Sequence, residues 1–326
     1  MRRPPPQAHE LKLAPLDFRL AARFWGLHDP RLAVLVHAIV GGTPAYRREY
    51  VSDDAPASLE DFDDWVVRTV LNPASPLFRE ARYVLAEEPG LRDPALYHSV
   101  LAAVAEGNTT RGRIAGYIGR KATDLQHPLT VLEDADLLAR DPDPLRSGRS
   151  SYRVTEPLIA FYQAVMRGAW TRLERRHGPE VWRTSARRFE SAILGPHFEQ
   201  LARTWVLEFA APDTLGGIPT LAGPGTINDA AARTSYELDI VALAEPSSAT
   251  RTVLALGEAK WGQEMGMPHV ARLRHIRGLL SHRGDLDASV AALICASGAG
   301  FTRELRSEAD SGDVVLVDLS RLYSGE

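Results

Sequence analysis

Tyr236-Glu237-Leu238-Asp239-Ile240-Val241-Ala242-Leu243 and Val253-Leu254-Ala255-Leu256-Gly257-Glu258-Ala259-Lys260-Trp261 are two apolar runs of strand length, each interrupted by charge. A buried strand tolerates an unpaired Asp, Glu or Lys poorly, because desolvating the charge is costly or forces it to neutralise. Charges in such a place pair with one another or hold a metal ion. Side chains alternate along a strand, so Glu237 and Asp239 share one face, as do Glu258 and Lys260. If the strands are neighbours, Asp239 and Glu258 meet at one point. Two carboxylates that close repel unless a cation sits between them.

Mg2+ (or Mn2+) suits that point. It is a hard ion that keeps several waters and takes only one or two carboxylates from the protein. Lys260 beside it would orient an attacking water and oppose the charge building on a phosphate. Glu199, on the preceding helix, is placed to add a third carboxylate. The candidate catalytic set is therefore Asp239, Glu258, Lys260 and Glu199, with Asp239 and Glu258 as the metal ligands. Glu237 reads as a polar neighbour, and Trp261 as a core or rim aromatic.

Around these strands the order is helix, loop, strand, strand, helix, strand, helix, strand. Ser191 to Phe209 is the helix, and Pro212 to Asp229, rich in Gly, Pro, Thr and Asn, reads as the loop. Pro268 to Leu280 is a helix bearing Arg272, Arg274 and Arg277, whose charges suit a nucleic-acid backbone or a solvated helix face. Ser289–Ala296 and Asp313–Leu319 read as strands, with a short helix Thr302–Ala309 between them. Cys295 is the single cysteine, inside an apolar run, and reads as a small buried residue. His197 has no metal-ligand spacing and reads as structural.

Upstream, residues 14–50 carry helical periodicity, and the apolar stretch Arg31–Val40 stops at Gly41-Gly42-Thr43-Pro44. Asp61–Leu71 and Leu77–Glu87 read as helices. Asp93 then caps a helix begun by Pro94. A short helix follows from Thr109-Thr110 to Ile118, and a third begins at Thr123 or Asp124. Next come a loose loop from Arg140 to Arg149 and a returning strand Ser151–Val154. Helix, short helix, helix and hairpin with a loose tip is the order of a winged helix-turn-helix. Its basic residues (Arg111, Arg113, Arg120 and Lys121) precede the acidic third helix, so the module reads equally as a DNA reader or a packing element. Leu158 to His177 reads as one long helix broken at Gly178-Pro179.

The chain has 326 residues, 38 Lys and Arg against 42 Asp and Glu, and a formal charge of −4. Its length suggests two or three domains. The charge gives no global pull toward nucleic acid, so a DNA-binding surface has to be a local basic patch. One cysteine excludes an internal disulfide and a thiolate zinc site. No apolar run of membrane-spanning length and no signal peptide occur, so no membrane partner and a cytoplasmic location are expected.

Glu199, Asp239 and Glu258-Ala259-Lys260 resemble the signature of the PD-(D/E)XK nuclease superfamily, although Leu238 rather than proline precedes Asp239. The resemblance extends through Gly41-Gly42-Thr43-Pro44-Ala45-Tyr46, Tyr152–Tyr162, Gly195-Pro196-His197-Phe198-Glu199, Glu237–Leu243 and Gly257–Trp261. Together these look like the part of the archaeal-type AAA+ ATPase family that follows its P-loop domain: a lid, a winged helix and a C-terminal domain of unknown function. The resemblance implies an α+β multi-domain chain. Residues 1–90 would form a helical lid-like segment, 91–165 a winged helix-turn-helix, and 166–326 an α/β restriction-endonuclease-like domain. The chain has no Gly-x-x-x-x-Gly-Lys-Ser/Thr loop, so it is not expected to hydrolyse ATP by itself. Its expected activity is metal-dependent cleavage of DNA. The alternatives are an inactive DNA- or protein-binding module that works with a separately encoded ATPase or by self-association, and an orphaned fragment without activity.

Overall fold

The structure, a computed structural model, describes residues 14–83, 94–245, 250–310 and 312–325. The expected cap at Asp93 lies outside them. Helices α1 (Phe18–Trp25) and α2 (Pro30–Val40) begin at Asp17 and Asp29, whose side chains each accept two backbone N–H groups of the first turn. The end of α2 explains the double glycine. Gly41 turns the chain at a φ of 57°, and Gly42 passes so close to Leu16 that a Cβ there would lie 1.9 Å from the Leu16 carbonyl oxygen. The Leu16 N–H donates to the Gly42 carbonyl oxygen at 2.9 Å, which pins the two backbones together. Gly42→Ala has no flexible neighbour to displace. It is expected to lower stability by about 2–4 kcal/mol, read as a lower urea midpoint at unchanged slope.

Helices α3 (Phe62–Arg68) and α4 (Pro76–Tyr83) complete the first part. Then come α5 (Pro94–Ala105), α6 (Arg111–Ile118), α7 (Gln126–Asp134) and an antiparallel hairpin of β1 (Leu138–Pro142) and β2 (Ser150–Val154). The third helix of this unit opens as a single 3-10 turn over Ala122–Leu125. Tyr97, Leu101, Ile114, Leu129, Leu132 and Tyr152 give the unit its own core.

The expected long helix from Leu158 is instead α8 (Pro157–Phe161) and α9 (Trp170–Glu174), joined by irregular helical turns. Gly178-Pro179 does not only end it. Proline fits the first turn of a helix, and α10 (Gly178–Arg188) starts there and leads into α11 (Gly195–Glu208).

After α12 (Pro212–Leu215) the chain builds a mixed sheet from β3 (Pro219–Asp229), β4 (Thr234–Ala244), β5 (Arg251–Lys260), β6 (Leu286–Asp287), β7 (Ala292–Ser297) and β8 (Val314–Val317). The order is β3-β4-β5-β7-β8, with β6 beside the start of β5. The β3–β4–β5 pairings are antiparallel, and those of β5 with β6 and β7, and of β7 with β8, are parallel. Helices α13 (Met267–Leu280), α14 (Arg303–Ala309) and α15 (Leu319–Ser324) complete the chain. The fold is thus mixed α and β. No helix among the described residues is long and apolar enough to cross a membrane.

The stretch Pro212–Asp229, expected as a loop, holds α12 and the edge strand β3. Gly and Pro normally argue against a strand, but an edge strand tolerates them. Here the glycines have a packing reason. A Cβ on Gly225 would lie 2.6 Å from Val241 Cγ2 and 3.1 Å from Leu145 Cδ1, and one on Gly223 would lie 2.8 Å from the Pro142 carbonyl oxygen. Leu145 and Pro142 belong to the hairpin, whose tip is therefore not loose. Leu145 is 0% exposed and inserts into the sheet's core beside Ile227, Val241 and Leu256. Arg251 and Arg283 donate to the Pro144 and Leu145 carbonyl oxygens, and Arg146 to Asn228.

The sheet is covered on both faces. On one, α11 meets Ile240, Ala255 and Ala259 in a core that also contains Phe18, Trp65 and Leu322. On the other, α13 meets Leu238, Val253 and Leu256. The N-terminal helices thus share a core with the sheet, whereas the unit that begins at Pro94 has its own.

Candidate functional site

The charged residues of β4 and β5 collect at one end of the sheet, and a β-bulge sets their direction. Leu238 pairs with Gly225 and Val241 with Gly223, so three steps along β4 match two along β3. The extra residue falls at Asp239–Ile240, and such bulges re-aim side chains beside functional sites. Ile240 lies opposite Gly257 on β5. The pairing runs as far as Ile240–Gly257, so Asp239 and Glu258 are the next residues on the two neighbouring strands at this end of the sheet.

Asp239 is tied down on one oxygen. Its Oδ2 accepts the Ala259 N–H at 3.0 Å and Lys260 Nζ at 3.1 Å. Glu258, 2% exposed, forms its ion pair with the Arg272 guanidinium, which α13 brings across the sheet face. Arg272 also donates to the Glu237 carbonyl oxygen at 2.7 Å and lies 5.7 Å from the Tyr236 ring centre.

Glu199 approaches from α11. Burial first, and then the charge of Asp239, push its carboxyl up to about 7, against the opposing pull of Arg203 and Lys260. Arg203, one turn after Glu199, is 8% exposed and donates to the Asp239 carbonyl oxygen at 2.8 Å and to Gln200 Oε1 at 3.1 Å. Burial lowers its pKa. The Glu199–Arg203 spacing of four on an amphipathic helix was the available sequence signal for Arg203, and the sequence reading passed over it.

The structure therefore groups Asp239, Lys260 and Glu199 with Arg203, and gives Glu258, on the neighbouring strand, Arg272 as its partner. Among the described residues no three His, Cys, Asp or Glu side chains converge closely enough to hold a metal by themselves. Hard carboxylates at the same end of two neighbouring strands, Asp239 and Glu258, still offer oxygen ligands of the kind a small divalent ion takes, with water in its remaining positions.

Glu199 carries a pH prediction. Its folded pKa stands above the usual 4.5, so the folded state keeps the proton longer. The wild type loses stability as pH rises from the unfolded value through about 7. Glu199→Gln removes that loss. Relative to wild type it is expected to gain about 2 kcal/mol between pH 4.5 and pH 8, read from denaturant midpoints. Saturating Mg2+ should shrink the difference by favouring the charged carboxylate.

The remaining candidates lie elsewhere. Arg274 pairs with Glu308 and Asp313, and Arg277 pairs with Asp313 and donates to the Ala291 carbonyl oxygen. Arg113, Arg120 and Lys121 are exposed around the 51% exposed Tyr117, and Arg111 is half-buried. His197 Nε2 lies 2.9 Å from His37 Nδ1 at a cavity of about 900 Å3 between α2, the hairpin and α10–α11. Burial pushes His37 down to about 4 and His197 well below its usual value, so the pair is neutral at pH 7. Cys295 is buried, and burial pushes its thiol up to about 12. Trp261 is packed against Phe198, with the Arg31 guanidinium 4.7 Å from its ring centre, which fastens α2 to the strand end that carries Lys260.

Comparison with known proteins adds one relative. The uncharacterized protein MJECL04 of Methanocaldococcus jannaschii is 26% identical over 155 residues, which are 47% of this chain and 33% of that protein. The chain thus spans about a third of the length of the curated relative it matches. No family model and no solved structure matches the chain.

Proposed function

We propose that the C-terminal part of this chain is a restriction-endonuclease-like domain that hydrolyses DNA phosphodiester bonds, with Asp239 and Glu258 holding Mg2+ or Mn2+. The observation that carries this reading is the position of Asp239 and Glu258 just beyond the Ile240–Gly257 pair at one sheet end, with Lys260 Nζ 3.1 Å from Asp239. A bound divalent ion supplies Lewis-acid polarisation of the phosphate and a water of lowered pKa. The chain's own residues do the rest. Asp239, fixed by the Ala259 N–H, keeps its second oxygen for coordination. Lys260 orients the attacking water and opposes the charge that accumulates on the phosphate. Glu199, titrating near neutrality, takes the proton this water gives up as its oxygen bonds to phosphorus and the bond to the leaving ester oxygen breaks.

Residues 94–154 are read as a winged helix-turn-helix whose wing is spent on docking the sheet. DNA contact then falls to the exposed helix side, Arg113, Arg120 and Lys121, with Arg111, and to the arginines of α13, Arg272, Arg274 and Arg277. A cytoplasmic location goes with this substrate. A second reading has its own observation: both carboxylates already carry an internal cation, Lys260 on Asp239 and Arg272 on Glu258. An inactive binding module, working with a separate ATPase or a second copy, would look like this too.

The two readings part on a panel of linear, nicked, branched and single-stranded DNA incubated with Mg2+ or Mn2+. Cleavage that stops on chelation supports the nuclease. Intact DNA on every substrate, from folded protein that gives no heat on metal titration, leaves the binding module.

A further inference from the structure

Glu258 is one of the few charged groups buried among the described residues. A carboxylate so enclosed needs a counter-charge. Lys260, its neighbour in the signature, does not supply it, because Lys260 turns to Asp239. Arg272 does, from a different element, α13. The two carboxylates are thus held by two monocations, which together carry the charge of one divalent ion.

The two cations are built differently. Lys260 leaves the strand that carries Glu258. Arg272 spans from the opposite layer on a long side chain that is 35% exposed, while the Glu258 side chain beneath it is 3% exposed. The guanidinium has other anchors, the Glu237 carbonyl oxygen at 2.7 Å and the Tyr236 ring at 5.7 Å. It can leave Glu258 toward solvent without unpacking Leu238 or Leu256 in the core below. Arg272 on Glu258 Oε1 and a metal on the other oxygen of the same buried carboxylate compete, since the two cations repel and share one anion.

We propose that Arg272 is a gate on the metal site: it stands in for the divalent cation on Glu258 at rest, and metal loads only as Arg272 lets go. The inference rests on the metal reading above. It makes the resting site neutral and stable without metal, and it makes metal affinity weaker than the carboxylates alone would give.

Calorimetric titration of Mn2+ into the full chain tests it. Arg272→Ala and Arg272→Gln are expected to bind Mn2+ at least about tenfold more tightly than wild type, because the competing cation is gone. Arg272→Gln keeps a donor for the Glu237 carbonyl oxygen, so the comparison survives if the alanine variant fails to fold. Arg303→Ala, at an exposed position that opens α14, removes the same net charge without touching Glu258 and is expected to leave affinity within about twofold. Tighter binding in the Arg272 variants alone supports the gate. Wild-type binding with no gain over Arg303→Ala overturns the gate and leaves the metal reading standing. No binding heat in any folded variant overturns the metal reading itself.

Discussion

Lys260→Ala is expected to reduce metal-dependent DNA cleavage by about a thousandfold while leaving metal binding intact, because the lysine acts on water and phosphate and not as a ligand. The geometry makes the split readable. Asp239 Oδ2 is held by two donors, Lys260 Nζ and the Ala259 N–H. Removing the lysine leaves the backbone donor, so the carboxylate keeps its direction. Removing a positive charge also takes away a competitor for the acidic patch, so Mn2+ affinity should hold or rise. Asp239→Ala has the opposite signature. It removes the ligand, so binding heat and cleavage should disappear together. Single-turnover cleavage at saturating metal, set beside the titrations, separates the two variants. If Lys260→Ala keeps activity within tenfold of wild type, Lys260 is only a counter-ion for Asp239. The second reading, in which an internal cation neutralises a retired site, then gains.

The acidic patch was legible because its signal is local. Asp239 and Glu258-x-Lys260 lie on apolar strands, where charge is conspicuous, and alternation already placed each on a definite face. What sequence could not supply was the partner on each carboxylate. Arg272 was read with Arg274 and Arg277 as one basic helix face. It is the register of α13 on the sheet that sends Arg272 to Glu258 and the other two to Asp313. The bulge at Asp239 was likewise invisible, since an extra residue in β4 exists only relative to β3. β3 itself was missed for a physical reason. Its Gly223 and Gly225 look like loop residues until the hairpin tip is packed on them, and then only glycine leaves room. The helix start at Thr109-Thr110 was short-range and readable, whereas the sharing of one core by Phe18 and Ile240 depends on contacts too far apart in sequence to see.

That hairpin contact carries the largest stability effect expected in the chain. Leu145 is 0% exposed, and it leaves its own three-helix unit to sit in the core of the sheet. Asp143 shapes the approach by accepting the Leu145 N–H at 2.9 Å, while Arg251 and Arg283 hold the neighbouring carbonyls. Leu145→Ala removes three heavy atoms from a site lined by rigid strand residues, and the facing glycines offer no side chain to collapse into the gap. A loss of about 3–5 kcal/mol follows. Leu145→Asp adds an unpaired buried carboxylate, and its penalty should exceed the alanine's unless the tip pulls out of the sheet altogether. Denaturant unfolding distinguishes these cases. If the tip stays docked, both variants unfold in one transition, with aspartate the worse. If it undocks, the residue 94–154 unit and the sheet melt in separate steps, and hydrogen exchange in β3 rises with no change in β7. A midpoint for Leu145→Ala within 0.5 kcal/mol of wild type would mean that the wing only rests on the sheet. The wing would then be released for a partner, and the statement that this unit meets DNA through its helix side and not its wing would fall with it.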